Sequence, residues 1–189
     1  MGLNLTTKTD YKAYAGIKST NEDAIIDILI PQVSDFVKNF CGRSFVDYWS
    51  TAKVEYFNGG TKSLILAETP VVAITSVEYS EDFGKTYTAL AEYDYWVLDK
   101  DQVVSTATTG RFTEKIKAYK VTYTGGYNDV PADLELAVMD LISFYRKNDS
   151  AVHSHMMTNP NTAQVAYVMG SSLPPHIKRV LMLHKADYS

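Results

Sequence analysis

Cysteine is almost absent: the 189 residues contain one, Cys41. A single thiol excludes an intrachain disulfide framework and suits a reducing cytoplasm. At the end of an apolar helical pattern it reads as a small buried hydrophobe. Long apolar runs are missing too. No stretch of eighteen apolar residues occurs, so no segment is expected to span a membrane. The opening residues lack the basic start and apolar core of a secretory signal. Met1-Gly2-Leu3-Asn4-Leu5-Thr6 fits the loose N-myristoylation pattern, but no polybasic segment follows to supply a second anchor. Excess positive charge is also lacking. The net charge of −4 argues against a dedicated nucleic-acid binder, whose footprint would be a basic face.

What is present is an ordinary globular composition, 46% hydrophobic and 21% charged, in a chain long enough for one domain with a real core. Fourteen tyrosines are the one unusual count. An apolar ring with a polar tip suits half-buried strands and interfaces.

Periodicity orders the chain. Residues 1–20 read as a polar lead-in with one helical turn around 11–15. Ser19 and Thr20, each followed three residues later by an acid (Glu22, Asp23), signal a helix start. Ile25, Ile28, Leu29, Val33, Phe36, Val37 and Phe40 then recur at helical spacing and mark the expected buried face, with Pro31 a kink or division and Gly42 a stop. Ile26 and Ile30 lie on another face, for a second contact within the fold or with a neighbour. From Lys53 the pattern changes to strands. Residues 53–57 and 63–67 flank Asn58-Gly59-Gly60-Thr61-Lys62, which reads as a hairpin-type turn. Residues 71–79 form a β-branched strand, and Asp82-Phe83-Gly84-Lys85 a turn. Residues 93–98 and 103–105 flank the turn Asp99-Lys100-Asp101. In 119–124 Tyr119, Val121 and Tyr123 face one way and their neighbours the other, which predicts one wet face. Pro131 opens a helix to about Asn148 with acids in its early turns and Arg146 and Lys147 in its last. Residues 149–172 lose periodicity and read as a loop or arm, with a short strand at 164–169. A terminal helix starts near Pro174-Pro175. The fold class expected is α+β: a mainly helical core (about 21–41, 131–148 and 174–185) with a small antiparallel sheet inserted over about 53–124, all in a single domain 1–189.

No catalytic constellation emerges, and no cofactor is expected. Asn58-Gly59-Gly60-Thr61-Lys62-Ser63 lacks the glycine before lysine and the outgoing helix of a phosphate loop. His153 and His155 share a strand face, but Cys41, His176 and His184 are not spaced to complete a zinc site. The carboxylates Glu81–Asp82 and Asp99/Asp101 lie in turns, where such groups are solvated or cap backbone. No metal site is expected. An enzyme ranks below a tyrosine-rich binding module for carbohydrate or protein, of a tail or baseplate.

Three stretches carry a family resemblance: Phe36-Val37-Lys38-Asn39-Phe40-Cys41-Gly42-Arg43; Leu64-Ile65-Leu66 with Pro70-Val71-Val72-Ala73-Ile74-Thr75-Ser76-Val77; and the strand–turn–helix unit from Lys120 through Gly125-Gly126 and Val130-Pro131 to Ala137. With Leu173-Pro174-Pro175-His176-Ile177-Lys178-Arg179-Val180-Leu181, their order resembles the head–tail connector (adaptor, head-completion) proteins of tailed bacteriophages over roughly 20–185. The long segment 150–172 and the pair His184-Lys185, where an aromatic–arginine pair is expected, depart from that pattern. The resemblance implies a structural virion protein at the head–tail junction, made in the bacterial host cytoplasm. Such proteins form a ring, typically of twelve copies, under the portal protein. They extend the DNA channel and present a platform for the next tail component, a stopper or tail-tube protein. Packaged DNA passes through the lumen without sequence-specific binding. It further implies a C-terminal docking segment, 173–189, whose Ile177, Lys178, Arg179, Val180, Leu181, His184 and Lys185 are candidates for portal contact. Ile26, Ile30 and Tyr145 are candidates for subunit–subunit contact.

Overall fold

A computed structural model describes residues 2–151 and 173–186, with side chains described to 147 and again from 173. Most of the expected arm, the 164–169 strand, His153 and His155 lie outside the described residues. The chain divides into two compact units, a helical one drawn from Asn4–Cys41 and Pro131–Lys185 and a sheet unit built on Gly42–Val130.

The helical unit contains α1 (Lys8–Ala15), α2 (Asp23–Cys41), α3 (Ala132–Ala151) and α4 (Pro175–Leu183). α1 is a full helix where one turn was expected. Thr7 caps it by accepting from the Asp10 amide at 3.2 Å, and Gly16 closes it at φ +67°. α2 runs through Pro31 as one helix. The carbonyl left without a helical donor is that of Asp27, an exposed residue where water can serve. The interior is apolar, with Tyr11, Ile26, Val37, Leu134, Leu141 and Ile177 all at 0–1% exposure. Burying each such side chain is worth about 1.5–3 kcal/mol. Ion pairs link the helices: Lys12 to Asp23 at 2.6 Å and Arg146 to Glu22 at 2.9 Å.

The sheet unit holds seven strands in two antiparallel sheets. β1 (Lys53–Phe57), β7 (Tyr119–Gly125), β3 (Val71–Tyr79) and β4 (Thr88–Ala89) make one, in that order. β2 (Ser63–Ile65), β6 (Gln102–Ser105) and β5 (Trp96–Asp99) make the other. β7 is central in its sheet, and every second residue of it is buried, as the alternation required. Tyr119, Val121 and Tyr123 pack with Leu64, Val77 and Val103 in a core of the unit's own.

That core corrects the expected fold class. The chain is a mixed α+β protein and not a mainly helical core with one inserted sheet, because the strands close two sheets over a separate hydrophobic interior. The turn after β1 is corrected as well. β1 pairs with β7 and β2 with β6, so Asn58–Lys62 joins two sheets and does not make a hairpin.

Candidate assembly interface

α4 shows how the terminal segment is used. Ile177 and Leu181 are 1% and 0% exposed, so its apolar side is consumed inside the helical unit. Cys41, at the end of α2, donates its thiol to the Leu181 carbonyl at 3.5 Å. His184 Nε2 lies 2.8 Å from Asp133 Oδ2, at the start of α3, and its hydrogen bond holds Asp133 below the usual carboxylate range. Of the residues expected to dock on a portal, Ile177, Leu181 and His184 are therefore engaged within the fold, and Val180 is half-buried. Lys178, Arg179 and Lys185 remain exposed, joined by Met182 (53%) and Leu183 (74%). α4 itself carries no acid, and its outward cations are Lys178 and Arg179, with Lys185 just beyond its end. Two carboxylates of α3 lie against the segment, Asp133 at His184 and Asp140 3.8 Å from His176.

α2 is apolar on two sides, and the burial is phased differently from expectation. Ile26 and Ile30, expected at a subunit contact, lie in the interior at 0% and 3% exposure, with Val33, Val37 and Cys41 beside them. Ile25, Ile28 and Phe36, expected inside, are exposed, and Phe36 stacks with Phe40 at 6.3 Å between centroids. Tyr145 on α3 is exposed and packs edge-on against Phe144.

A further outward surface was not foreseen. The expected strand 93–98 starts too early: Tyr93 has φ +66°, outside the extended range, and β5 begins only at Trp96. The Tyr93 amide donates to the Trp96 carbonyl at 2.7 Å, and the Tyr95 amide to Ala91 at 3.2 Å. This tight turn leaves Tyr93 at 75% and Tyr95 at 55% exposure, with Glu92 and Asp94 exposed beside them and Asp99 exposed at the end of β5. The alternating tyrosines and acids, Glu92-Tyr93-Asp94-Tyr95, were the available signal.

Elsewhere polar groups serve the scaffold. Glu68 is 1% exposed and accepts from the Ser44 amide and from Lys53 at 2.9 and 3.1 Å. Burial pulls Lys53 down, but Glu55 and Glu68 outweigh it and hold the amine above its ordinary value. Asp82 caps its turn. The Thr86 amide, then the Thr86 and Ser80 hydroxyls, hold it far below the usual carboxylate range. Among the described residues no group of three His, Cys, Asp or Glu side chains is placed to hold a metal.

The fold is that of a mixed α+β protein with exposed apolar and charged side chains on α2, α4 and the 92–95 turn, and the polar groups just described hold its turns and helices in place. The model of the head completion protein family matches residues 4–186, and the chain belongs to that family, a structural protein of the head–tail junction. Solved structures share the fold. A chain from the neck of an empty gene transfer agent (GTA) particle computed with C6 symmetry aligns at TM-score 0.59 and 12% identity, covering 100% of this chain and 97% of that one. A chain from the neck of a native GTA particle computed with C12 symmetry aligns at TM-score 0.54 and 16% identity, with coverages of 100% and 97%. One from the virion of a native GTA particle aligns at 0.53 and 15%, covering 86% and 79%. No curated protein matches.

Proposed function

We propose that the chain acts at the head–tail junction of a virion as one copy of a ring beneath the portal protein. The ring extends the channel through which DNA passes and offers its far side to the next tail component. Its role is mechanical and not catalytic. The observation that carries this reading is the family match along nearly the whole chain. The necks similar to it are rotationally symmetric, which supports a ring. A ring requires each copy to carry two unlike patches that meet head to tail. Any contact role for the terminal segment, with the portal or within the ring, falls to Lys178, Arg179, Met182, Leu183 and Lys185, the residues that α4 and its C-terminal end leave outward. Electron microscopy of the purified protein, alone and mixed with its cognate portal, tests the proposal. A ring, or a new layer on the portal, is expected. Separate monomers in both samples would overturn it.

A second reading, a tyrosine-rich binding module, is favoured by one feature. The sheet unit has a cleft of about 300 Å³ lined by Tyr79, Tyr95, Phe112 and Tyr119, with Glu81 and Arg111 among its other lining residues. Saturable binding of a glycan that protects this cleft, without any ring, would move the assignment there.

A further inference from the structure

The two outward surfaces of the chain are complementary to each other. The turn at 92–95 presents two exposed tyrosine rings with two exposed acids, Glu92 and Asp94, and is followed along β5 by the exposed Leu98 and Asp99. The cations nearby are Lys100, next in sequence, and Arg111, which lines one cleft with Tyr95. The outward face of α4 and the two residues after it presents two exposed aliphatic side chains, Met182 and Leu183, among Lys178, Arg179 and Lys185. The helix carries no acid, and the two carboxylates against the segment, Asp133 and Asp140, face His184 and His176. One surface is aromatic and acidic, and the other is aliphatic and basic. Aromatic faces also attract guanidinium and ammonium groups, so Tyr93 and Tyr95 suit the cations a second time. Tyr93 holds the left-handed backbone at φ +66°, unusual for a bulky residue, and in that conformation it is 75% exposed, as open as any large hydrophobic residue among the described residues. The two surfaces belong to different units of the chain, the sheet unit and the helical unit.

We infer that the acidic tyrosine turn of one copy docks on the outward face of α4 in a second copy, as the repeating contact of the ring. This deepens the ring reading and rests on it. The contact is heterologous, since each copy donates its turn to one neighbour and its α4 to the other, which is the condition for closing a ring. It assigns to a sister subunit the cations that sequence resemblance had assigned to the portal. Charge complementarity speeds and orients the encounter, and the tyrosines and Met182 supply the apolar centre.

Cross-linking between two proteins, each with one added cysteine, tests the contact. Cys41 is fully buried and stays silent. Tyr95→Cys protein mixed with Met182→Cys protein, assembled on the portal and treated with a short bis-maleimide, should yield a covalent pair of copies. Neither protein should do so alone. A Lys178→Glu/Arg179→Glu/Lys185→Glu background should lower the yield at least tenfold, and adding Glu92→Lys/Asp94→Lys/Asp99→Lys should restore it. A pair formed from Tyr95→Cys alone or Met182→Cys alone would show a two-fold contact and overturn the inference. So would a layer on the portal without any cross-linked pair, which leaves the ring reading standing. Neither layer nor pair would remove both.

Discussion

At the scale of single residues, one conformational demand lies where the strand β7 leaves its sheet. Gly126 sits at φ +93°, and a Cβ there would lie 2.1 Å from the Phe45 carbonyl oxygen. Gly126→Ala therefore combines a forbidden backbone with a steric clash, and should lower unfolding free energy by about 2–4 kcal/mol. Urea unfolding followed by circular dichroism measures this, and an unchanged midpoint would refute the close approach. Asp133 carries a pH dependence. Its folded pKa lies below the ordinary 3.8, so the contribution of its contact with His184 is complete above about pH 4 and lost as pH falls through the folded value. Asp133→Asn should shrink the difference between urea midpoints at pH 7 and pH 3. The double glycine was legible as a turn, because few residues besides glycine tolerate such backbone. Glu68 was not. In Ala67-Glu68-Thr69-Pro70 it resembles a solvated turn acid, and its partners Ser44 and Lys53 are distant in sequence.

At the scale of elements, α2 separates two meanings of periodicity. Ile26→Ala should cost about 2–4 kcal/mol, since it opens a cavity in the interior. Ile25→Ala, one position away on the exposed side, should change the thermal midpoint by less than about 0.5 kcal/mol equivalent. Equal effects would mean that the helix is phased wrongly. The sequence contains both stripes at the same spacing, so counting residues shows that the helix is two-faced and cannot choose the inner face. Strands were easier to locate than to pair. Alternation in 119–124 and the β-branched run at 71–79 located β7 and β3 well, whereas the pairing of β1 with β7 joins residues more than sixty positions apart. Local pattern carries no information about such a partner, which is why two sheets were read as one insertion. The turn at 92–95 was missed because Tyr is a strand former by propensity, and tertiary context held Tyr93 in another conformation.

At the scale of the whole molecule, the terminal segment supports the fold as well as any docking. Deleting 173–189 removes Ile177 and Leu181 from the helical interior, and should cost the helical unit about 4–8 kcal/mol, on the order of two buried aliphatic side chains. Loss of assembly after that deletion would therefore say little about contact. Lys178→Glu/Arg179→Glu/Lys185→Glu leaves the interior intact and should keep the melting curve while abolishing the ring. A lowered melting point in that variant would contradict the outward placement of the three cations. The helical unit also has a temporal side. Tyr11 and Ile26 lie in the first part of the chain, yet Leu134 and Leu141, which share their interior, follow about a hundred residues later. At roughly 5–20 residues per second of synthesis, α1 and α2 wait several seconds on the ribosome with apolar faces bare while the sheet unit emerges complete. α4, with the basic face proposed for the ring contact, emerges last. A nascent chain thus presents the acidic turn before its own basic face, so under the proposed contact it can meet one neighbour before it can meet two.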